Sequence, residues 1–310
     1  MTLFGRTSPS EAEAERAHRR RWILIPGVVV LLCVVVGLVS SLGPWRTREE
    51  AIERLYPAGI KKIQVENPGD VALTGTTDGQ ARALWETHWN YQRPSLRTAQ
   101  DGDTLRVWLD CSRSVGVECF ADVQLAVPQG VAVQVGSDSG DVLARGLDSP
   151  VTVSATSGEV SMRDVTGDVR VSMRSGDMNL RGIGGNVTAQ NRSGDIHAKG
   201  LNGRTAALST QSGDVNATFA VVPQHVTAQT RSGDVQLCVP PGSGPYQVRT
   251  DVRSGDVRTE VPTSTTATSV LDARTHSGDV EIRYGDHEDG PREPPEPPEP
   301  PQPPQRPGPS

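Results

Sequence analysis

Aromatic side chains are scarce in this chain: three Phe, four Tyr and five Trp among 310 residues. Ring packing cannot dominate any core, so whatever is buried must be built from small aliphatics. Catalytic phrases are missing too. There is no Gly-x-Ser-x-Gly elbow, phosphate loop or His-Glu-x-x-His helix. The six histidines, His18, His88, His197, His225, His276 and His287, are scattered. No catalytic residue, cofactor or metal is therefore expected, although the many acids leave a carboxylate pair for glycoside cleavage open. A net charge of −6 argues against nucleic acid as a partner of the whole chain.

What the chain does have is a recurring phrase, Ser-Gly-Asp followed by an aliphatic residue. Its copies are Ser139-Gly140-Asp141-Val142, Ser157-Gly158-Glu159-Val160, Ser175-Gly176-Asp177-Met178 and Ser193-Gly194-Asp195-Ile196. Four more follow at Ser212-Gly213-Asp214-Val215, Ser232-Gly233-Asp234-Val235, Ser254-Gly255-Asp256-Val257 and Ser277-Gly278-Asp279-Val280. Successive serines lie 18, 18, 18, 19, 20, 22 and 23 residues apart. A period of this size signals stacked repeats. Between the phrases apolar residues alternate, as in Val151, Val153, Ala155 before one corner and Val160, Met162 after it. Period two means strand, with alternate side chains on opposite faces. Each repeat thus holds two short strands and two turns, the second turn falling at Asp148-Ser149-Pro150, Thr166-Gly167-Asp168, Gly184-Gly185-Asn186 and Asn202-Gly203-Arg204. The predicted fold is all-β: a parallel two-sheet β-solenoid with coils ~4.8 Å apart and right-handed crossovers. A sandwich of antiparallel hairpins is the structural alternative, because period two does not set strand direction.

Within the phrase, Gly can take positive φ and Asp can bond turn amides. Stacking would bring the aspartates into a column of like charge. Arg174, Arg192, Arg231 and Arg253 each precede the serine, and they are expected to stand beside that column and offset its repulsion. A calcium ladder, as in other Gly- and Asp-rich solenoids, is the functional alternative; the neighbouring arginines argue against it.

The chain divides by composition. Residues 1–21 are polar and end in Arg16, Arg19, Arg20 and Arg21. Ile23 to Leu42 carries no charge over twenty residues, enough for a ~30 Å hydrocarbon layer, and Trp22 and Trp45 stand at its ends. Residues 22–44 are predicted to be a single transmembrane helix. The preceding arginines place the N-terminus in the cytoplasm, which implies a plasma-membrane protein with an extracellular ectodomain. A cleaved signal peptide is the rival reading; the run is long for one, and no Ala-x-Ala site follows. Residues 45–59 read as a juxtamembrane linker, with a short helix over Thr47 to Leu55. The solenoid is expected over 60–285, where Pro68-Gly69-Asp70-Val71 is an early copy of the phrase.

Trp85, Trp89 and Tyr91 cluster with His88 as a cap over the open end, with a carbohydrate-stacking surface as the alternative. Thr104 to Val127 reads as a hairpin whose tip is closed by a disulfide between Cys111 and Cys119, eight residues apart, in a compartment that permits one. Metal is the alternative there, without a second Cys pair or a His pair to support it. From 286 to 310 a Pro-Pro-Glu repeat predicts a disordered polyproline II tail.

The run Val123-Gln124-Leu125-Ala126-Val127-Pro128-Gln129-Gly130, followed by the Ser-Gly-Asp-Val copies, resembles the bacterial "putative adhesin" family, long catalogued as a domain of unknown function. The resemblance covers Ile60 to Tyr284. Glu159 departs from the phrase, and the widening intervals after Ser212 point to loops. The resemblance implies a β-solenoid on the cell envelope and supplies no catalytic residues. The expected function is a membrane-anchored, non-enzymatic, adhesin-like module whose long solenoid face binds a cell-wall, glycan or protein ligand. Two alternatives remain. One is an envelope-stress sensor or scaffold, which would need a partner protein because 21 cytoplasmic residues are too few for a DNA-binding domain. The other is a carbohydrate-active enzyme on a β-helix.

Overall fold

The computed structural model describes residues 48–89, 94–110 and 119–285. The expected transmembrane helix, Tyr91, the Cys111–Cys119 bridge and the proline-rich tail lie outside the described residues.

Alternation of small aliphatic and polar residues makes these segments strands, and the strands fall into a front sheet of twelve and a back sheet of eleven. Each coil runs along the back sheet, turns at a corner and returns along the front sheet. An N-terminal strand, β1 (Arg48–Leu55), precedes the first coil, β2 (Lys62–Glu66) with β3 (Val71–Thr76). Two strands outside the coil pattern follow, β4 (Arg82–Trp89) and β5 (Ser95–Asp101). The next coils are β6 (Thr104–Asp110) with β7 (Cys119–Pro128), β8 (Ala132–Ser137) with β9 (Val142–Arg145), and β10 (Val151–Ala155) with β11 (Val160–Val165). Then come β12 (Val169–Met173) with β13 (Met178–Ile183), β14 (Val187–Gln190) with β15 (Ile196–Leu201), and β16 (Thr205–Ser209) with β17 (Val215–Phe219). The last three are β18 (His225–Gln229) with β19 (Val235–Val239), β20 (Gln247–Ser254) with β21 (Val257–Thr259), and β22 (Val270–Ser277) with β23 (Val280–Tyr284).

Neighbouring coils pair in parallel throughout, for example Val151↔Val169 and Val160↔Met178. This is the predicted two-sheet solenoid and not the hairpin sandwich. The inward column of the back sheet, Val133, Val151, Val169 and Val187, is at most 2% exposed, as is its front-sheet counterpart of Val142, Val160, Met178 and Ile196. Facing sheets ~10 Å apart leave room for side chains of this size. Each buried aliphatic contributes roughly 1.5–3 kcal/mol over leaving it exposed.

Three expectations need correction. Of the short helix expected over Thr47 to Leu55, the described part, Arg48–Leu55, is a strand: β1 pairs antiparallel with β4, so the stretch read as a linker over 45–59 contributes an edge strand. Thr104 to Val127 is not a hairpin. β6 pairs with β2 in the back sheet and β7 with β3 in the front, so the two segments are the arms of a coil. Alternation gave the strands but could not tell a turn within one sheet from a turn between two. The coils also do not stack in chain order at the ends. The β6–β7 coil lies outside β2–β3, and the last coil, β22–β23, lies between β18–β19 and β20–β21. The intervals of 22 and 23 residues at this end supply the chain needed to pass one level and return.

The strand that carries Trp85, His88 and Trp89 of the aromatic cluster does cover the N-terminal end. β4 lies antiparallel on β7, and β5 antiparallel on β6. Trp85 is buried, with its indole N–H donating to the Tyr56 hydroxyl at 3.2 Å. Burial pushes the Tyr56 phenol above its ordinary pKa. Trp89 is also buried, so neither ring is open to stack on a sugar.

The corner glycines allow coils to meet at backbone distance. Gly213 has φ +131°, and a Cβ there would sit 2.3 Å from the Gly194 carbonyl oxygen. Gly213→Ala is expected to cost about 1–3 kcal/mol in backbone strain and more from that overlap. Ser212→Ala, at an exposed neighbour, should shift stability by less than about 0.5 kcal/mol. Thermal unfolding checks the pair; equal midpoints would contradict this account of the corner.

Candidate binding surface

Stacking draws the phrase residues into one edge of the molecule. The serines bridge in parallel from Ser175 to Ser193, Ser212, Ser232 and Ser277. Beside them each aspartate carboxylate accepts a hydrogen bond from the backbone N–H of its counterpart one coil on. The column begins with Asp122 Oδ1 accepting from Asp70 N–H, Asp70 from Asp141 and Asp141 from Glu159, each at 2.8 Å. It resumes with Asp177 accepting from Asp195 at 2.9 Å. From there Asp195 accepts from Asp214, Asp214 from Asp234, Asp234 from Asp279 and Asp279 from Asp256, all at 2.8 Å. Glu159 interrupts the series. Its longer side chain takes the Asn179 amide instead, at 2.8 Å, and no described bond joins Glu159 to the Asp177 N–H.

The column is therefore held by backbone donors. A hydrogen bond to a charged acceptor contributes about 1.5–3 kcal/mol, against about 1 kcal/mol of repulsion between carboxylates ~5 Å apart in water-like surroundings. The arginines expected to offset that repulsion do not. Arg174, Arg192, Arg231 and Arg253 are exposed and make no ion pair among the described residues. The N–H groups already satisfy the acids, and the arginines belong to the far side of the corner, on the back sheet.

A second set of bonds was not legible as such in the sequence. Two residues before the serine, Asn191, Thr210, Thr230 and Thr275 point inward and donate to the carbonyls of Gly176, Gly194, Gly213 and Gly233 at 2.7–3.1 Å. Alternation alone marks these positions as core strand. Their polarity was the available signal that a corner carbonyl needed a donor.

The outward front face carries three columns parallel to the solenoid axis. The Asp column is one. Two residues on in each coil stand Leu143, Ser161, Asn179, His197 and Asn216. Two further on stand Arg145, Arg163, Arg181 and Lys199, which are direct cross-strand partners in successive coils. All four cations are exposed. The basic column lies ~13 Å along the strand from the Asp column, at ~3.3 Å per residue over four residues, too far for pairing. The sequence reading missed it, although each member falls six residues after its serine. Toward the other end the face turns acidic. A cleft of about 400 Å³ opens there between Asp214, Asp234, Asp279, Asp256, Glu281 and Arg258. Gln236 donates to Glu281 at 2.8 Å within it.

At the capped end His88 stacks on Phe120 with ring centroids 4.8 Å apart. It lies 3.8 Å from a Glu49 oxygen and 3.6 Å from Asp122.

A capped parallel solenoid with this corner phrase defines a class, and the chain belongs to the Toastrack DUF4097 family, whose model matches residues 60–289. Among solved structures it is similar to a putative adhesin from Bacteroides fragilis NCTC 9343, at 16% identity and TM-score 0.50, covering 76% of this chain and 97% of that one. It is also similar to a putative adhesin from Parabacteroides merdae ATCC 43184, at 13% identity and TM-score 0.51, covering 76% and 96%. At such identities the likeness speaks for the fold. No curated protein matches the sequence.

If the carboxylate serves as an acceptor for its neighbour's N–H, Asp195→Ala should lose about 1–3 kcal/mol, while Asp195→Asn, which keeps a side-chain oxygen, should lose clearly less. Glu159→Asp should close the gap in the column and raise the thermal midpoint by about 2–4 °C for each kcal/mol gained. Denaturant and thermal unfolding of the three variants read both outcomes; an Asn variant as weak as the Ala variant, or a lowered midpoint for Glu159→Asp, would contradict the assignment.

Proposed function

We propose that this protein is a membrane-anchored surface module whose solenoid binds a component of the cell envelope without catalysing a reaction on it. The observation that carries the reading is the repetition of the outward face: the same chemical types recur at the same register position in consecutive coils, as Arg145, Arg163, Arg181 and Lys199 do. A stacked array of this kind presents an extended binding surface by its shape. Membership of the Toastrack family and a fold shared with proteins called putative adhesins support an adhesin-like role. The uncharged run from Ile23 to Leu42 and the arginines before it support an anchor that leaves residues 45–310 outside the plasma membrane.

The full chain, purified in detergent, should bind isolated cell-wall material saturably and release no soluble sugar from it. Failure to sediment with any envelope fraction would overturn the binding reading. Steady release of reducing ends would replace it with a carbohydrate-active enzyme.

A further inference from the structure

The cationic column of the front face has no structural employment. Among the described residues Arg145, Arg163, Arg181 and Lys199 make no ion pair and no side-chain hydrogen bond, whereas Arg82, Arg97, Arg106, Arg258 and Arg274 all pair with acids. Arg106 does so across coils, reaching Glu66 at 2.8 Å, so the fold readily places opposite charges in adjacent rungs. Here it places like charges in direct register, which is unfavourable on a sheet, in a chain with 37 acids and 31 Lys and Arg. The column at the other corner is interrupted by Gln211 and His276, whereas this one is unbroken over four coils.

Its surroundings restrict what can lie on it. The column on one side carries no acid, through Leu143, Ser161, Asn179 and His197. On the other side the nearest acid is Asp164, in the left-handed conformation at φ 56°, where the equivalent positions are Gly146, Gly182 and Gly200. Asp148 and Asp168 accept backbone N–H bonds from Gly130 and Asn186 at the second corner. The track is thus single-file, with a cation every ~4.8 Å, and an acidic column runs alongside it.

We infer that Arg145, Arg163, Arg181 and Lys199 form a track for one linear anionic glycopolymer of the cell envelope, lying along the solenoid axis. Arginine forks suit phosphate or carboxylate oxygens, so a polyol-phosphate chain and a uronic-acid polysaccharide share the required chemistry. A nucleic-acid duplex fits less well: its second backbone would approach the Asp column, and the column between offers a single ring, His197, for base stacking. The inference rests on the reading of the solenoid as an envelope-binding module and names the chemistry it recognises.

The test uses the full chain in detergent with four probes: a glycerol-phosphate polymer, polygalacturonate, neutral dextran and a single-stranded oligonucleotide. At least one of the first two should bind more tightly than dextran, with an affinity that falls as salt rises. The Arg163→Gln/Arg181→Gln variant should weaken that binding at least tenfold with an unchanged or raised thermal midpoint. Arg174→Gln/Arg192→Gln, at the other corner, should change it less than twofold. Which polymer binds identifies the source of the anion. Binding no tighter than dextran, an unaffected Arg163/Arg181 variant, or a preference for the oligonucleotide would each overturn the inference. Cell-wall sedimentation run on the same samples separates the two readings. Retained sedimentation with no polymer binding sinks the track alone; polymer binding without sedimentation sinks the envelope-module reading alone.

Discussion

Everything in this molecule depends on how closely successive corners approach. Parallel coils place backbone over backbone, and at the Ser-Gly-Asp turn the carbonyl of one glycine occupies the space where a side chain on the next would stand, 1.7 Å away between Gly158 and Gly176. Only glycine tolerates both that contact and the positive φ. The turn then leaves an N–H pointing along the axis, and a carboxylate one coil back is the acceptor that reaches it. The phrase is conditional on stacking: its Gly and Asp each act on a neighbouring coil and have little purpose in an isolated turn.

This explains which parts were legible in the sequence. A constraint repeated at every level writes itself as a period, so the coil, its two strands, the inward alternation and the imperfect copy at Gly69-Asp70 could all be read directly. The ends could not, because there the order of coils is decided by contacts distant in sequence. Nothing local distinguishes a final coil that stacks on its predecessor from one that, like β22–β23, enters between two others. The same holds for β6 and β7, whose partners are β2 and β3 rather than each other. The arginines before the serines were misread for a different reason. The aspartates looked like unrelieved charges only while their partners were sought among side chains.

Core and surface are nearly independent here. Inward positions need small aliphatics, with a Thr or Asn where a corner carbonyl must be met, and corners need Gly and Asp. Outward positions on the two sheets answer to neither demand. Repetition among them is therefore informative, since packing does not impose it. The cationic column was visible as a constant offset from the serine, but its meaning needed the register, which turns an interval of 18 residues into adjacency across a ladder.

The corner account is tested most directly by amide hydrogen exchange resolved to single residues. The N–H groups of Asp195, Asp214 and Asp234 should be protected to the same degree as strand amides such as Val215, while that of Asp177, which faces Glu159, should exchange markedly faster. Uniformly fast exchange along the whole aspartate column, or protection at Asp177 equal to that of its neighbours, would contradict it.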